Sequence, residues 1–138
     1  MDNETVKIPE IKLDEVGRPM SDSLAEEIYH ILDAKNAEDP SVIKVSEKTD
    51  LTDYFVLATA KSTTHVRALE DEVEYRIGLA GIKPDRAEGR GAGNSWMVID
   101  YGNVIVHIFN REAREFYNID KLYSDAEKIE IKSRISEE

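Results

Sequence analysis

The stretch Tyr54-Phe55-Val56-Leu57-Ala58-Thr59-Ala60 decides the architecture of this chain. Its side chains are aromatic, β-branched or small, none is charged, and they do not alternate between apolar and polar. That pattern reads as a central strand buried on both faces. Ser62 follows at once and is placed to cap a helix. In that helix Val66, Leu69, Val73, Ile77 and Ala80 step by three or four residues, which makes one buried stripe. Gly81 is the expected stop, with Ile82 folding back on the last turn. A fully buried strand leading into an amphipathic helix predicts a sheet covered by helices.

Working outward, residues 42–46 read as a second strand, with Ile43 and Val45 expected on opposite faces. Before it, Ser23 and Glu26 have capping-box spacing, and Leu24, Ile28, Ile31 and Leu32 follow with helical period. The segment from Asn36 to Pro40 ends that helix, because the residue before a proline avoids the α region. Downstream, residues 84–89 suggest a short strand, and Gly89-Arg90-Gly91-Ala92-Gly93 a loop. Residues 96–101 and 104–109 form two strands joined by Gly102-Asn103, a hairpin signal. Asn110 is placed to cap a short helix through Tyr117, with Arg111 and Glu115 at i,i+4. The expectation is an α+β fold (an α/β sandwich) with a mixed β-sheet of about five strands flanked by helices. Residues 1–20 read as a mobile N-terminal extension, 21–126 as the domain, and 127–138 as a charged C-terminal tail.

The chain has 138 residues, with 18 Lys and Arg against 29 Asp and Glu, a net charge of −11. Such a charge repels free nucleic acid and anionic lipid and speeds encounter with a basic protein. The absence of cysteine excludes disulfide scaffolds, thiol nucleophiles and cysteine-ligated metal. The acidic N-terminus lacks the apolar core of a signal peptide, and no run approaches the roughly 20 apolar residues that span a bilayer. A cytoplasmic protein is therefore expected.

Candidate chemistry is sparse. The glycine loop is followed by Asn94-Ser95-Trp96 and a strand, so it lacks the Lys-Ser/Thr pair and the helix of a phosphate cradle. If the hairpin turns at Gly102-Asn103, then Trp96, Val98, Asp100, Ile105, His107 and Phe109 share one face. Asp100 then lies diagonal to His107, within side-chain reach. Ser95 points to the other face, so no catalytic triad forms. His30, His65 and His107 lie far apart in sequence, which disfavours a metal site; His30 and His65 read as surface residues, and Asp50 and Asp53 as turn residues. Glu70, Asp71, Glu72 and Glu74 read as a solvated helix face. What remains is a candidate partner-binding face: Trp96, Asp100 and His107 on the hairpin, with Arg114 and Tyr117 at i,i+3 on the following helix. No cofactor, no metal and no catalytic residue is expected.

Several ordered strings carry a resemblance. They are Asp53-Tyr54-Phe55-Val56-Leu57-Ala58-Thr59-Ala60 with Ser62 and His65-Val66, then Glu88-Gly89, then Trp96-Met97-Val98-Ile99-Asp100-Tyr101-Gly102. Val106-His107-Ile108-Phe109 follows, and then Arg114-Glu115-Phe116-Tyr117 with Leu122 and Asp125-Ala126. Over residues 24–126 the chain resembles the ribosomal silencing factor, or Iojap, family. The resemblance implies a mixed sheet between helices, similar to nucleotidyltransferases, without enzyme activity. It implies binding to the large ribosomal subunit through large-subunit ribosomal protein fourteen, which blocks joining of the small subunit and represses translation. Organelle relatives are linked to ribosome assembly, and members often form homodimers. Family members often carry Asp where Asn103 stands and Trp where Tyr123 stands. A nucleotidyltransferase would need two carboxylates at alternate positions of one strand, and Val98 stands two residues before Asp100.

Overall fold

The computed structural model describes residues 7–135; residues 1–6 of the expected extension and 136–138 of the expected tail lie outside the described residues. The chain runs α1 (Ser21–Ala34), β1 (Glu38–Lys44), β2 (Tyr54–Ala60), α2 (Thr63–Leu79), β3 (Arg86–Arg90), β4 (Trp96–Asp100), β5 (Val104–Asn110), α3 (Arg111–Tyr117), α4 (Ile119–Leu122) and β6 (Glu127–Ile129). One sheet has the order β3-β4-β5-β2-β1-β6. β2 and β5 are parallel and every other pair is antiparallel. The charge-free stretch 54–60 is therefore an interior strand, as its lack of alternation requires.

The two faces of the sheet are covered differently. On one, α1 packs Leu24, Ile28 and Leu32, and α2 packs Val66, Leu69, Val73 and Ile77, against Val56, Ala58, Val106 and Ile108. On the other, Ile43, Val45, Phe55, Leu57, Val98, Ile105 and Phe109 meet Ala113 of α3, with Trp96, Ile119, Tyr123 and Ala126 at the margin. Two full helices seal the first face; two short ones and a turn cover the second.

Local chemistry explains most boundaries. The Ser62 hydroxyl accepts the His65 N–H at 3.0 Å and starts α2. Gly81, with φ of 82°, ends it, and Ile82 N–H returns to the Ile77 carbonyl at 3.4 Å. The Asn110 side chain accepts the Ala113 N–H at 2.8 Å and starts α3. The hairpin turns at Gly102-Asn103, closed by Tyr101 N–H to the Val104 carbonyl at 2.9 Å.

Four expectations change. The sheet has six strands rather than about five, because Glu127–Ile129 of the expected tail pairs with β1, Val42 facing Ile129. A three-residue edge strand with two charged residues carries no pattern to read. Ile43 and Val45 lie in the same apolar cluster, since residues two apart in a strand share a face. β1 begins at Glu38, and a bulge between Glu38 and Ser41, with Asp39 at φ of 49°, accommodates Pro40. Finally, α1 begins at Ser21 with no side-chain cap, because the Ser23 hydroxyl accepts the Lys12 N–H at 2.8 Å instead.

Both terminal segments fold onto the domain. Met20 N–H donates to the Lys12 carbonyl, and the Asn103 side-chain amide donates to the Pro19 carbonyl at 2.9 Å. An aspartate at 103 could not make that bond. At the other end Ser133 donates to Asp33 at 2.5 Å and Arg134 to Glu27 at 2.7 Å, holding the last described turn on α1.

Replacing Ser62 by Ala removes the hydroxyl that caps the His65 N–H at the N-terminus of α2. It should lower stability by about 1 kcal/mol in urea unfolding, with an unchanged denaturant slope, while Ser62→Asp should stay close to wild type.

Candidate docking face

The hairpin register places Trp96 opposite Phe109, Val98 opposite His107 and Asp100 opposite Ile105, the arrangement expected from the turn. On the other side of β4, Arg90 faces Trp96 and Arg86 faces Asp100. Trp96 thus stands in a row across three strands. Its ring stacks on Phe109 with centroids 5.2 Å apart, and the Arg90 guanidinium carbon lies 5.5 Å from its centroid. Tyr117 of α3 covers it at 4.4 Å.

The expected contact between Asp100 and His107 does not form. The Trp96 indole N–H donates to His107 Nδ1 at 3.1 Å, whereas Asp100 accepts the Gly102 N–H at 2.8 Å and faces Arg86 at 3.8 Å. His107 is only 6% exposed and stands edge-on to Phe55, with its Nε2 lacking a hydrogen-bond partner. Since Nδ1 accepts, the neutral ring carries its hydrogen on Nε2. Burial, and then the nearby Arg90 charge, lowers its pKa from 6.5 to about 3.

Arg114 and Tyr117 do not act side by side. Arg114 is 9% exposed and turns inward. Its Nε and Nη2 donate to the two oxygens of Asp120, each at 3.0 Å. Its Nη1 donates to the Asp39 carbonyl at 2.8 Å and to Thr59 Oγ1 at 3.0 Å, and Nη2 reaches Ser41 Oγ at 3.3 Å. Hydrogen bonding from Arg114 holds the Asp120 carboxyl below its ordinary value. Tyr117 points the other way, onto Trp96, and is 37% exposed. Arg111 pairs with Glu38 across to β1 rather than with Glu115.

Two exposed apolar residues of α3 and α4 carry the resemblance but are not read from the sequence as contact residues. Phe116 is 79% exposed and meets Tyr117 edge to face at 5.0 Å, and Leu122 on α4 is 70% exposed. In this seven-residue helix Ala113 and Arg114 are buried and Phe116 lies off that side, an exposure that sequence spacing alone does not mark because it depends on the inward turn of Arg114.

The other histidines are not free surface residues. His30 is buried on α1 with Nε2 3.6 Å from Glu26. His65 accepts the Lys61 N–H at Nδ1 and contacts the Lys35 carbonyl at Nε2, joining the start of α2 to the end of α1. On the acidic face of α2, burial and neighbouring Glu74 raise Glu70 to about 7, so that face is only partly solvated. Among the described residues, no group of three or more His, Asp or Glu side chains could hold a metal ion, and no helix is long and apolar enough to cross a membrane.

Comparison with known proteins now adds to this geometry. A family model described as "Ribosomal silencing factor during starvation" matches residues 18–138. The chain belongs to the ribosomal silencing factor family. It is 31% identical over 105 residues to the ribosomal silencing factor RsfS of Halalkalibacterium halodurans, covering 76% of this chain and 89% of that protein. It is also 31% identical over 100 residues to the mouse protein named mitochondrial assembly of ribosomal large subunit protein 1, covering 70% of this chain and 43% of that one. The crystal structure of a Chromobacterium violaceum protein superposes with a TM-score of 0.66 at 26% identity, over 84% of this chain and 91% of that one. The α+β fold with its mixed sheet is thus shared with a solved structure over most of both chains.

Two predictions follow from the buried polar groups. Unfolded histidine takes up a proton near pH 6.5, while folded His107 does so only near pH 3. Unfolding between those values therefore binds a proton, and stability falls as pH drops through the window, with a limiting slope of about 1.4 kcal/mol per pH unit. Urea melts across that range should show the slope, and His107→Asn should remove one proton from it. Arg114→Ala should cost about 2–4 kcal/mol, since it orphans the Thr59 hydroxyl and the β1 bulge carbonyl. Arg114→Lys should recover only part, because an ammonium cannot pair both Asp120 oxygens in a fork.

Proposed function

We propose that this silencing factor binds the large ribosomal subunit through large-subunit ribosomal protein fourteen, blocks joining of the small subunit and so represses translation in the cytoplasm. The observation that carries the reading is a partly exposed aromatic patch, Phe116 and Tyr117 beside a half-buried Trp96, on an acidic domain. A surface of that kind suits occupation of a partner's face. Trp96, Asp100 and Tyr117 line the contact, while His107 and Arg114 support it from beneath. The negative charge speeds encounter with a basic ribosomal protein and discourages stray binding to ribosomal RNA.

The reading needs no cofactor. A nucleotidyltransferase activity is disfavoured because Asp100 lacks a second carboxylate two residues before it and is held by Gly102 and Arg86. The name of the mouse relative favours a second reading, an adaptor in large-subunit assembly that uses the same contact without silencing.

Sedimentation of purified subunits through sucrose gradients tests the proposal. The protein should travel with large subunits and not with small ones, and should reduce joined ribosomes in proportion to its occupancy. Equal binding to both subunits, or to neither, overturns it; binding without any loss of joining selects the adaptor. Trp96→Ala should weaken binding by about 2–4 kcal/mol. Asp100→Lys should bind a basic partner worse than Asp100→Asn, through added like-charge repulsion.

A further inference from the structure

We infer that the residue inserted into the partner is Phe116, presented on the α3–α4 corner, and that it fits a shallow apolar slot rimmed by basic side chains. The inference rests on the docking function proposed above and names which element makes the contact.

Phe116 is the most exposed large apolar residue among those described, and its ring is set by an edge-to-face contact with Tyr117. Tyr117 is seated in turn on Trp96, which is fixed between Phe109 and Arg90 and hydrogen-bonded to His107. From inside the corner, Arg114 clamps Asp120 and ties α3 to β1 and β2. An exposed aromatic ring on a helix held from both sides binds with little loss of side-chain freedom, which is what a central anchor requires. Stacking on Trp96, by contrast, leaves the indole as the floor of this arrangement.

Charge complementarity selects the occupant. Glu112 lies four residues before Phe116, one turn away on the same side of α3, and Glu115 precedes it; both are exposed. The two bases of this helix, Arg111 and Arg114, are engaged with Glu38 and Asp120. The anchor is therefore flanked by acids, and its complement is an apolar slot with Lys or Arg at the rim. The exposed apolar residues Ile8, Leu13 and Val16 precede the family match at residue 18, whereas Phe116, like the less exposed Leu51 and Leu122, lies inside it.

The experiment measures sedimentation of full-length protein with purified large ribosomal subunits, for wild type, Phe116→Ser, Phe116→Leu and Glu112→Lys. Thermal melts and the fluorescence of Trp96, the single tryptophan, monitor folding. Because Phe116 is exposed, all three variants should melt and fluoresce like wild type. Phe116→Ser should raise the dissociation constant at least about tenfold, and Phe116→Leu should restore most of the affinity. Glu112→Lys should weaken binding at low salt and flatten its salt dependence. Wild-type affinity in Phe116→Ser overturns the inference while leaving the docking function standing; absence of wild-type binding removes the docking function itself. Equal loss in Phe116→Ser and Phe116→Leu overturns the apolar slot.

Discussion

The burial of one guanidinium organises the functional end of this molecule. Arginine stays charged at any accessible pH, so a buried Arg114 must find acceptors for its N–H groups. It finds them on three elements: the Asp39 carbonyl and Ser41 hydroxyl of β1, the Thr59 hydroxyl of β2 and both oxygens of Asp120 on α4. The β1 bulge makes the first of these available, because the register shift brings the Asp39 carbonyl around to the end of the sheet. The fork to Asp120 then requires the chain to reverse sharply after α3. Asn118 allows that reversal by taking left-handed backbone angles, φ of 51° and ψ of 49°, a conformation asparagine tolerates better than most residues. The bulge, the arginine and the asparagine are thus one device.

The asymmetry of the two sheet faces has a similar origin. Stripes on α1 and α2 are long enough to bury one face with aliphatic side chains alone. The second face is covered by elements of seven and four residues, too short to do the same. Aromatic area makes up the difference: Phe55, Phe109, Trp96, Tyr117 and Tyr123 stack or meet edge to face over the strands. Burying a histidine among them is tolerable because the indole N–H gives its Nδ1 a partner and burial keeps the ring neutral, although its Nε2 has no hydrogen-bond partner.

The sequence made the core and much of the topology legible. Charge-free residues 54–60 read as an interior strand, the three-and-four spacing of α2 read as one buried stripe, and Gly102-Asn103 located the hairpin and its register. Legibility failed where a long-range partner overrode a local signal. Ser23 and Glu26 have the spacing of a cap, yet the hydroxyl serves a backbone group eleven residues earlier. Asp100 and His107 are close enough to pair, but Trp96 competes successfully for the histidine and a turn N–H for the aspartate. Arg114 has the spacing to share a surface with Tyr117, and only the acceptors converging from β1, β2 and α4 turn it inward. Short, charged Glu127–Ile129 gave no periodicity at all; its pairing depends on the open edge of β1.

Charge and apolar area divide the work of a docking domain, and this chain keeps them apart. Exposed acids act over roughly a Debye length, so they govern how fast a basic partner arrives, and salt weakens them. Contacts that exclude water govern how long it stays. Placing charge in the middle of the contact would mix the two, adding a desolvation cost to each encounter. Here the charged groups near the aromatic patch are either paired beneath it, as Arg114 is with Asp120, or set beside it, as Glu112 and Glu115 are beside Phe116. Arg90 is the instructive exception: its guanidinium lies over the Trp96 ring and its Nη2 donates to Glu88 at 2.6 Å, so the one base beside the indole is neutralised on the surface and contributes area rather than net charge.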